Sequence, residues 1–154
     1  MNVEERITRL EHREAIKELR AEYCYRIDAR QWDRFVDLFT DDAHMNFGPV
    51  GEFNGRDAIR DFAENIVGKE HPFLAHMVHN PILTIDGRSA TGRWYFEVPC
   101  TFRDGNAGWI QGVYRDEYTN EGSGWKFASV VADFNYFADY DDGWAEIVSS
   151  KQGD

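Results

Sequence analysis

The spacing of apolar residues changes once along this chain, and the change restricts what it can fold into. Through about residue 67 the apolar positions recur at steps of three and four, and from Leu74 onward they recur at every second position. The first period belongs to helices with one buried face, the second to strands whose faces alternate. Ile16, Leu19, Tyr23 and Ile27 predict a helix over 12–28, with Glu14, Lys17, Glu18, Arg20 and Glu22 on its remaining surface. Ile7 and Leu10 suggest an earlier turn or two, interrupted at His12-Arg13-Glu14. A short second helix over 31–39 carries Trp32, Phe35, Val36, Leu38 and Phe39 and ends at Thr40-Asp41-Asp42. A strand over 43–47 and a Gly48–Gly51 loop follow. Asn54-Gly55 then caps a third helix over 56–67, which stops at Gly68 as a left-handed cap.

In the second half, Trp94, Phe96, Val98, Cys100 and Phe102 alternate with Arg93, Tyr95, Glu97, Pro99 and Thr101. Asp86-Gly87-Arg88, 103–106 and 120–124 read as hairpin connections. Helices first and a four-strand antiparallel meander after make an α+β chain. N-terminal helices packed on a strongly curved antiparallel sheet close it into a cone-shaped α+β barrel. One domain is expected over 1–138, followed by an acidic, unpatterned tail over 139–154.

Five Trp, seven Tyr and eleven Phe, 15% of the chain, exceed what a compact core of 154 residues needs and point to a ring-lined cavity. The net charge of −11 repels phosphate backbones and anionic headgroups, so neither nucleic acid nor a membrane is expected as partner. No apolar run approaches the roughly 18 residues of a membrane span. Met1-Asn2-Val3-Glu4-Glu5-Arg6 is too charged for a secretory signal, which makes the cytoplasm the expected location. Cys24 and Cys100 are far apart and read as reduced core thiols. Nucleophile-elbow, phosphate-loop, dinucleotide and Cys-x-x-Cys patterns do not occur, and no cofactor is expected. His71, His76 and His79 are spaced so that a strand scatters them, and no metal is expected either.

Several segments carry a resemblance: Ile16 to Tyr23 and on to Asp28, Trp32-Asp33, Asn54-Gly55-Arg56-Asp57-Ala58-Ile59, Ala75-His76-Met77-Val78-His79-Asn80-Pro81, and Ala90-Thr91-Gly92-Arg93-Trp94-Tyr95. Over about residues 12–137 the chain resembles the SnoaL-like family of the nuclear transport factor 2-like superfamily, nearest to its bile-acid 7α-dehydratase and scytalone dehydratase types. The resemblance implies a pocket between the first helix and the concave face of the sheet, where Tyr23 and Asp28 meet His76. It also implies an acidic residue on the strand face of Trp94 and Phe96, and this chain has Val98 there. The same fold hosts dehydratases, isomerases, cyclases and non-catalytic proteins.

Asp28 sits where the helix dipole disfavours a negative charge by a typical ~0.3 to 1 kcal/mol, so it needs a partner. If His76 is that partner, Asp28 fixes the imidazole tautomer and leaves the other ring nitrogen to move a proton; otherwise Asp28 is a solvated acid beside Arg26 or Arg30. His76 and His79 are three apart, so a regular strand sends only one of them inward, and His76 is the choice. Tyr23 either polarises a substrate oxygen or is a core aromatic. Trp94, Phe96 and Val98 are expected to wall the site. Asp133 and Asn135 share a face with Phe127, Val131 and Phe137, as polar contacts at the mouth. The expected function is a cofactor-independent dehydratase or hydratase acting on a hydrophobic, ring-containing or polyketide-like small molecule. Alternatives are an isomerase or cyclase with the same dyad and a non-catalytic binding or structural subunit. A homodimer or homotrimer is expected through an outer sheet face bearing Arg93, Tyr95, Tyr114 and Tyr118.

Overall fold

The computed structural model describes residues 1–151. Helix α1 is continuous over Val3–Asp28 and begins earlier than the apolar stripe does, because Asn2 and Glu5 form a capping box. The Asn2 side chain accepts from the Glu5 amide at 2.8 Å, and the Glu5 carboxylate accepts from the Asn2 amide at 2.8 Å. After α2 (Trp32–Val36) come β1 (Phe39–Asn46), β2 (Glu52–Asn54) and α3 (Gly55–Asp61). A π-helical stretch over Phe62–Val67 leads into α4 (Gly68–Glu70). Gly68 is therefore not a left-handed stop: its φ is −65°. It is small for another reason, since a Cβ there would stand 3.1 Å from both the Arg30 guanidinium and the Trp32 ring.

The strands are β3 (Phe73–Leu74), β4 (Met77–Asp86), β5 (Ser89–Thr101), β6 (Ala107–Asn120) and β7 (Trp125–Asp139). All seven form one sheet in the order β2-β1-β7-β6-β5-β3, with β4 also on β5. The sheet is mixed rather than purely antiparallel, because β1 runs parallel to β7. It curls around α1, whose Ile16, Leu19, Arg20, Tyr23, Cys24 and Ile27 are buried against its concave side. Within the expected tail, β7 runs to Asp139 and α5 covers Ala145–Lys151, with Trp144 stacked on Tyr136; residues 152–154 lie outside the described residues.

Register decides which residues face inward. Trp94 pairs with Tyr114 and Ala90 with Tyr118, so Tyr114 and Tyr118 lie on the concave face and are each 2% exposed. The expectation that they join Arg93 and Tyr95 at an outer contact is corrected by this pairing. Strand β7 carries two bulges: Ala128 and Asn135 are each the extra residue opposite β6. A one-residue slip exchanges the faces of a strand. Phe127 faces the core, the phase then shifts so that Val130 and Ala132 do, and it shifts back so that Phe137 pairs with inward Ile110.

Gly112 pairs with Phe134 beside the Asn135 bulge. A methyl at this position would run into the Asp133 carbonyl and the Phe96 ring. Gly112→Ala should lower unfolding free energy by about 2–4 kcal/mol, measured by urea denaturation, because backbone cannot move aside as a side chain can.

Candidate functional site

The site begins at the end of α1. Ile27 turns inward, Asp28 closes the helix, and Arg30 takes a left-handed backbone with φ of 58°. The Arg30 guanidinium then reaches across to donate to the carbonyls of Gly68 at 2.8 Å and His71 at 2.7 Å. These bonds tie the helix end to the segment that leads into β3.

Residues 73–79 run along β5 in a single register, Leu74 on Cys100 and Met77 on Glu97, which sets His76 opposite Val98, and the register shifts by one residue between His79 and Ile82. The ladder is interrupted between β3 and β4 because Pro99 accepts from the Ala75 amide at 3.1 Å and has no N–H to return. The next amide, that of His76, turns away from β5 toward the helix and donates to Asp28 Oδ2 at 2.8 Å. The imidazole Nδ1 meets Asp28 Oδ1 at 2.6 Å. A carboxylate only accepts, so Nδ1 carries a proton, and in the neutral ring the lone pair is on Nε2. The His76 side chain is 9% exposed and that of Asp28 is 23% exposed.

Tyr23, one turn back on α1, presents its ring at 75° to the His76 ring with centroids 6.2 Å apart. Its hydroxyl is buried and makes no hydrogen bond of regular geometry among the described residues, with the Tyr114 side chain as a looser polar contact. Burial drives the Tyr23 phenol well above its ordinary pKa, opposed by the Arg20 cation, so it stays a hydroxyl. Tyr23 and His76 line a cavity of about 80 Å³. Phe96, Val98, Phe134 and Phe137 are among its apolar walls, Phe47 and Phe62 close it from the helical side, and the polar side chains in its lining are Tyr23, His71, His76 and Tyr114.

The structure thus brings Tyr23, Asp28 and His76 together, with Phe96 and Val98 in the same wall. Trp94 lies outside the lining, deeper in the core, where its indole N–H donates to the Tyr118 hydroxyl at 3.0 Å. Asp133 and Asn135 are not at the mouth. The two bulges place them on the outer face, where Asp133 accepts from Arg115 at 2.7 Å and the Asn135 amide donates to Gln111 at 2.8 Å. His79 also faces outward, 3.1 Å from Glu97, so the three histidines do not converge.

Arg20, read from the sequence as a solvent-facing residue, is fully buried. Its Nε is 3.3 Å from Asp116, and its guanidinium lies 3.6 Å above the Tyr114 ring and 4.3 Å from the Tyr23 ring. Tyr118 donates to the same carboxylate at 2.6 Å. Burial disfavours the Arg20 charge most strongly of any one cause, but Asp116 together with Tyr114, Tyr23 and Tyr118 outweighs it and holds the pKa above the ordinary value. The signal was available: Ile16, Arg20, Tyr23 and Ile27 are spaced four, three and four, and Asp116 shares strand parity with Tyr114 and Tyr118. Arg20→Met would strand a buried carboxylate and should destabilise the fold by about 3–5 kcal/mol, whereas Arg20→Met with Asp116→Leu should restore much of that loss in the same denaturation series.

Residues 8–131 match the model of the SnoaL-like domain. A Mycobacterium tuberculosis protein, Rv2910c, is 28% identical over 127 residues, spanning 78% of this chain and 83% of its own. The gamma-hexachlorocyclohexane dehydrochlorinase of Sphingobium indicum is 27% identical over 133 residues, 85% of each chain. The crystal structure of LinA superposes with a TM-score of 0.83 at 26% identity, covering 86% of this chain and 92% of that one. No helix among the described residues is long and apolar enough to cross a membrane. The curled sheet around α1 is the nuclear transport factor 2-like cone, and the chain belongs to the SnoaL-like domain family.

Proposed function

We propose that this chain is a cofactor-independent lyase, a dehydratase acting on a hydrophobic, ring-containing small molecule. The observation that carries the reading is the double hydrogen bond from His76 to Asp28, with the imidazole in the wall of an apolar cavity. Asp28 holds the Nδ1–H tautomer, and Nε2 takes a proton from a substrate carbon. The adjacent C–O bond breaks, the electrons of the C–H bond become the new double bond, and the abstracted proton leaves with hydroxide as water. Tyr23, whose buried hydroxyl has no hydrogen bond of regular geometry among the described residues, donates to the substrate oxygen on which charge builds. A relative whose name describes removal of hydrogen chloride from a six-membered ring supports elimination chemistry of this general kind.

Val98 stands directly across from His76, where an acidic partner was implied, so the reading relies on one base that takes and returns the same proton. A panel of cyclic β-hydroxy ketones, screened by thermal shift and then by absorbance of the conjugated product, supplies the assay. Asp28→Asn and His76→Ala should each lower kcat by about 10² to 10⁴-fold with near-ultraviolet circular dichroism unchanged. Tyr23→Phe should cost about 10² to 10³-fold. Full activity in either dyad variant overturns the reading, and saturable binding without turnover of any compound would make the chain a binding module.

The outer face of the sheet leaves Ile82 58% and Tyr95 49% exposed. We propose that a second or third copy covers it. Light scattering should give a dimer or trimer mass, and Tyr95→Glu should shift it toward the monomer.

A further inference from the structure

Besides the dyad and the two phenols, the cavity has one more polar side chain, His71, to which the elimination gives no part. Its position is set first by backbone. Residue 71 ends α4 in an extended conformation, its amide donates to the Val67 carbonyl at 3.1 Å, and its own carbonyl accepts from Arg30 at 2.7 Å. Because Arg30 follows Asp28 by two residues, one side chain fixes the His71 backbone to the end of the helix that carries the dyad carboxylate. The imidazole packs beside Phe102, with centroids 5.7 Å apart, and lines the cavity with His76.

The His71 Nδ1 atom is buried and has no hydrogen-bond partner among the described residues. The main chain anchors the residue, and the ring hydrogen-bonds the Thr101 backbone and packs on Phe102, which leaves Nδ1 without a partner. A polar nitrogen buried without a partner in the wall of an apolar cavity is unfavourable unless something entering the cavity bonds to it. Burial and then the neighbouring His76 hold the His71 pKa below the usual histidine value, against Glu70 and the Thr101 backbone. The ring is therefore neutral at pH 7, with its N–H held by the Thr101 backbone and its lone pair left to accept from a hydroxyl, and it is not suited to an anion.

Resting on the reading of this cavity as the substrate site, we infer that His71 is a specificity-determining residue that hydrogen-bonds an oxygen substituent of the substrate. The preferred class is then a small oxygenated ring compound, and a hydrocarbon or fully halogenated ring of the same size is disfavoured. Such a ring offers no O–H donor and only weak acceptors, so its entry would leave the His71 nitrogen unpaired.

The probes are phenol, toluene and chlorobenzene, which share one ring and differ in one substituent. Binding is measured by calorimetry, or by chemical-shift titration where affinity is weak. The wild-type chain should bind phenol about five- to tenfold more tightly than toluene or chlorobenzene. His71→Phe, which keeps a ring against Phe102, should bring that ratio close to one by weakening phenol alone, and His71→Asn should retain part of it. A second readout needs no substitution: the imidazole ¹⁵N resonances of His71 should move on adding phenol and stay in place with toluene. A wild-type ratio near one, an unchanged ratio in His71→Phe, stationary His71 resonances with phenol, or no saturable phenol binding each overturns the inference. Equilibrium binding does not depend on turnover, so these outcomes are separate from those of the dyad variants.

Discussion

A buried guanidinium sets the frame within which everything else in this cone is positioned. Arg20 leaves the middle of α1 and enters the concave side of the sheet, where it pairs with Asp116 and lies flat on Tyr114. An ion pair of this kind is not an efficient source of stability, since both charges lose their water. It is demanding in geometry, however, because a helix rotated or slid by one residue would bury the charge without its partner. Tyr23 is one turn further along the same face, and Asp28 follows at the helix end. The contact that fixes α1 against β6 therefore also fixes where the phenol and the carboxylate stand.

Two edges meet at the dyad. The last turn of a helix has surplus carbonyls and disfavours a carboxylate, and an interrupted strand has a surplus amide. Asp28 answers the second need by accepting the His76 amide, and the same carboxylate orients the His76 ring. Pro99 is part of the arrangement, because a residue with an N–H would let the ladder close at Ala75 and draw this segment flat onto β5. A chemically capable pair thus rests on a defect in hydrogen bonding that the fold turns to use.

Much of this was legible in the residues. The period change separated helices from strands, and alternation over Trp94 to Cys100 assigned the faces of β5 correctly. Helix spacing placed Tyr23 and Ile27 inward, and resemblance joined Asp28 to His76. What escaped was phase. The Ala128 and Asn135 bulges have no local signature, so counting by twos from Phe127 sent Asp133 and Asn135 to the wrong side. Charge misled at Arg20 and Asp116, where residue type argued for solvent and spacing argued for the core. His71 lies in the link between α4 and β3, where neither period applies, and only the folded chain brings its ring into the cavity.

The paired bulges of β7 have a bearing on how such a cavity diversifies. Between Ala128 and Asn135 the strand runs out of step with its flanks, so the choice of which side chains line the chamber rests on two single-residue insertions. A lineage that gained or lost one of them would exchange Phe134 for Asp133 or Asn135 along the cavity wall without any substitution at those sites. For a scaffold that serves many chemistries, length changes within one strand are a route from an apolar chamber to a polar one as direct as point mutation.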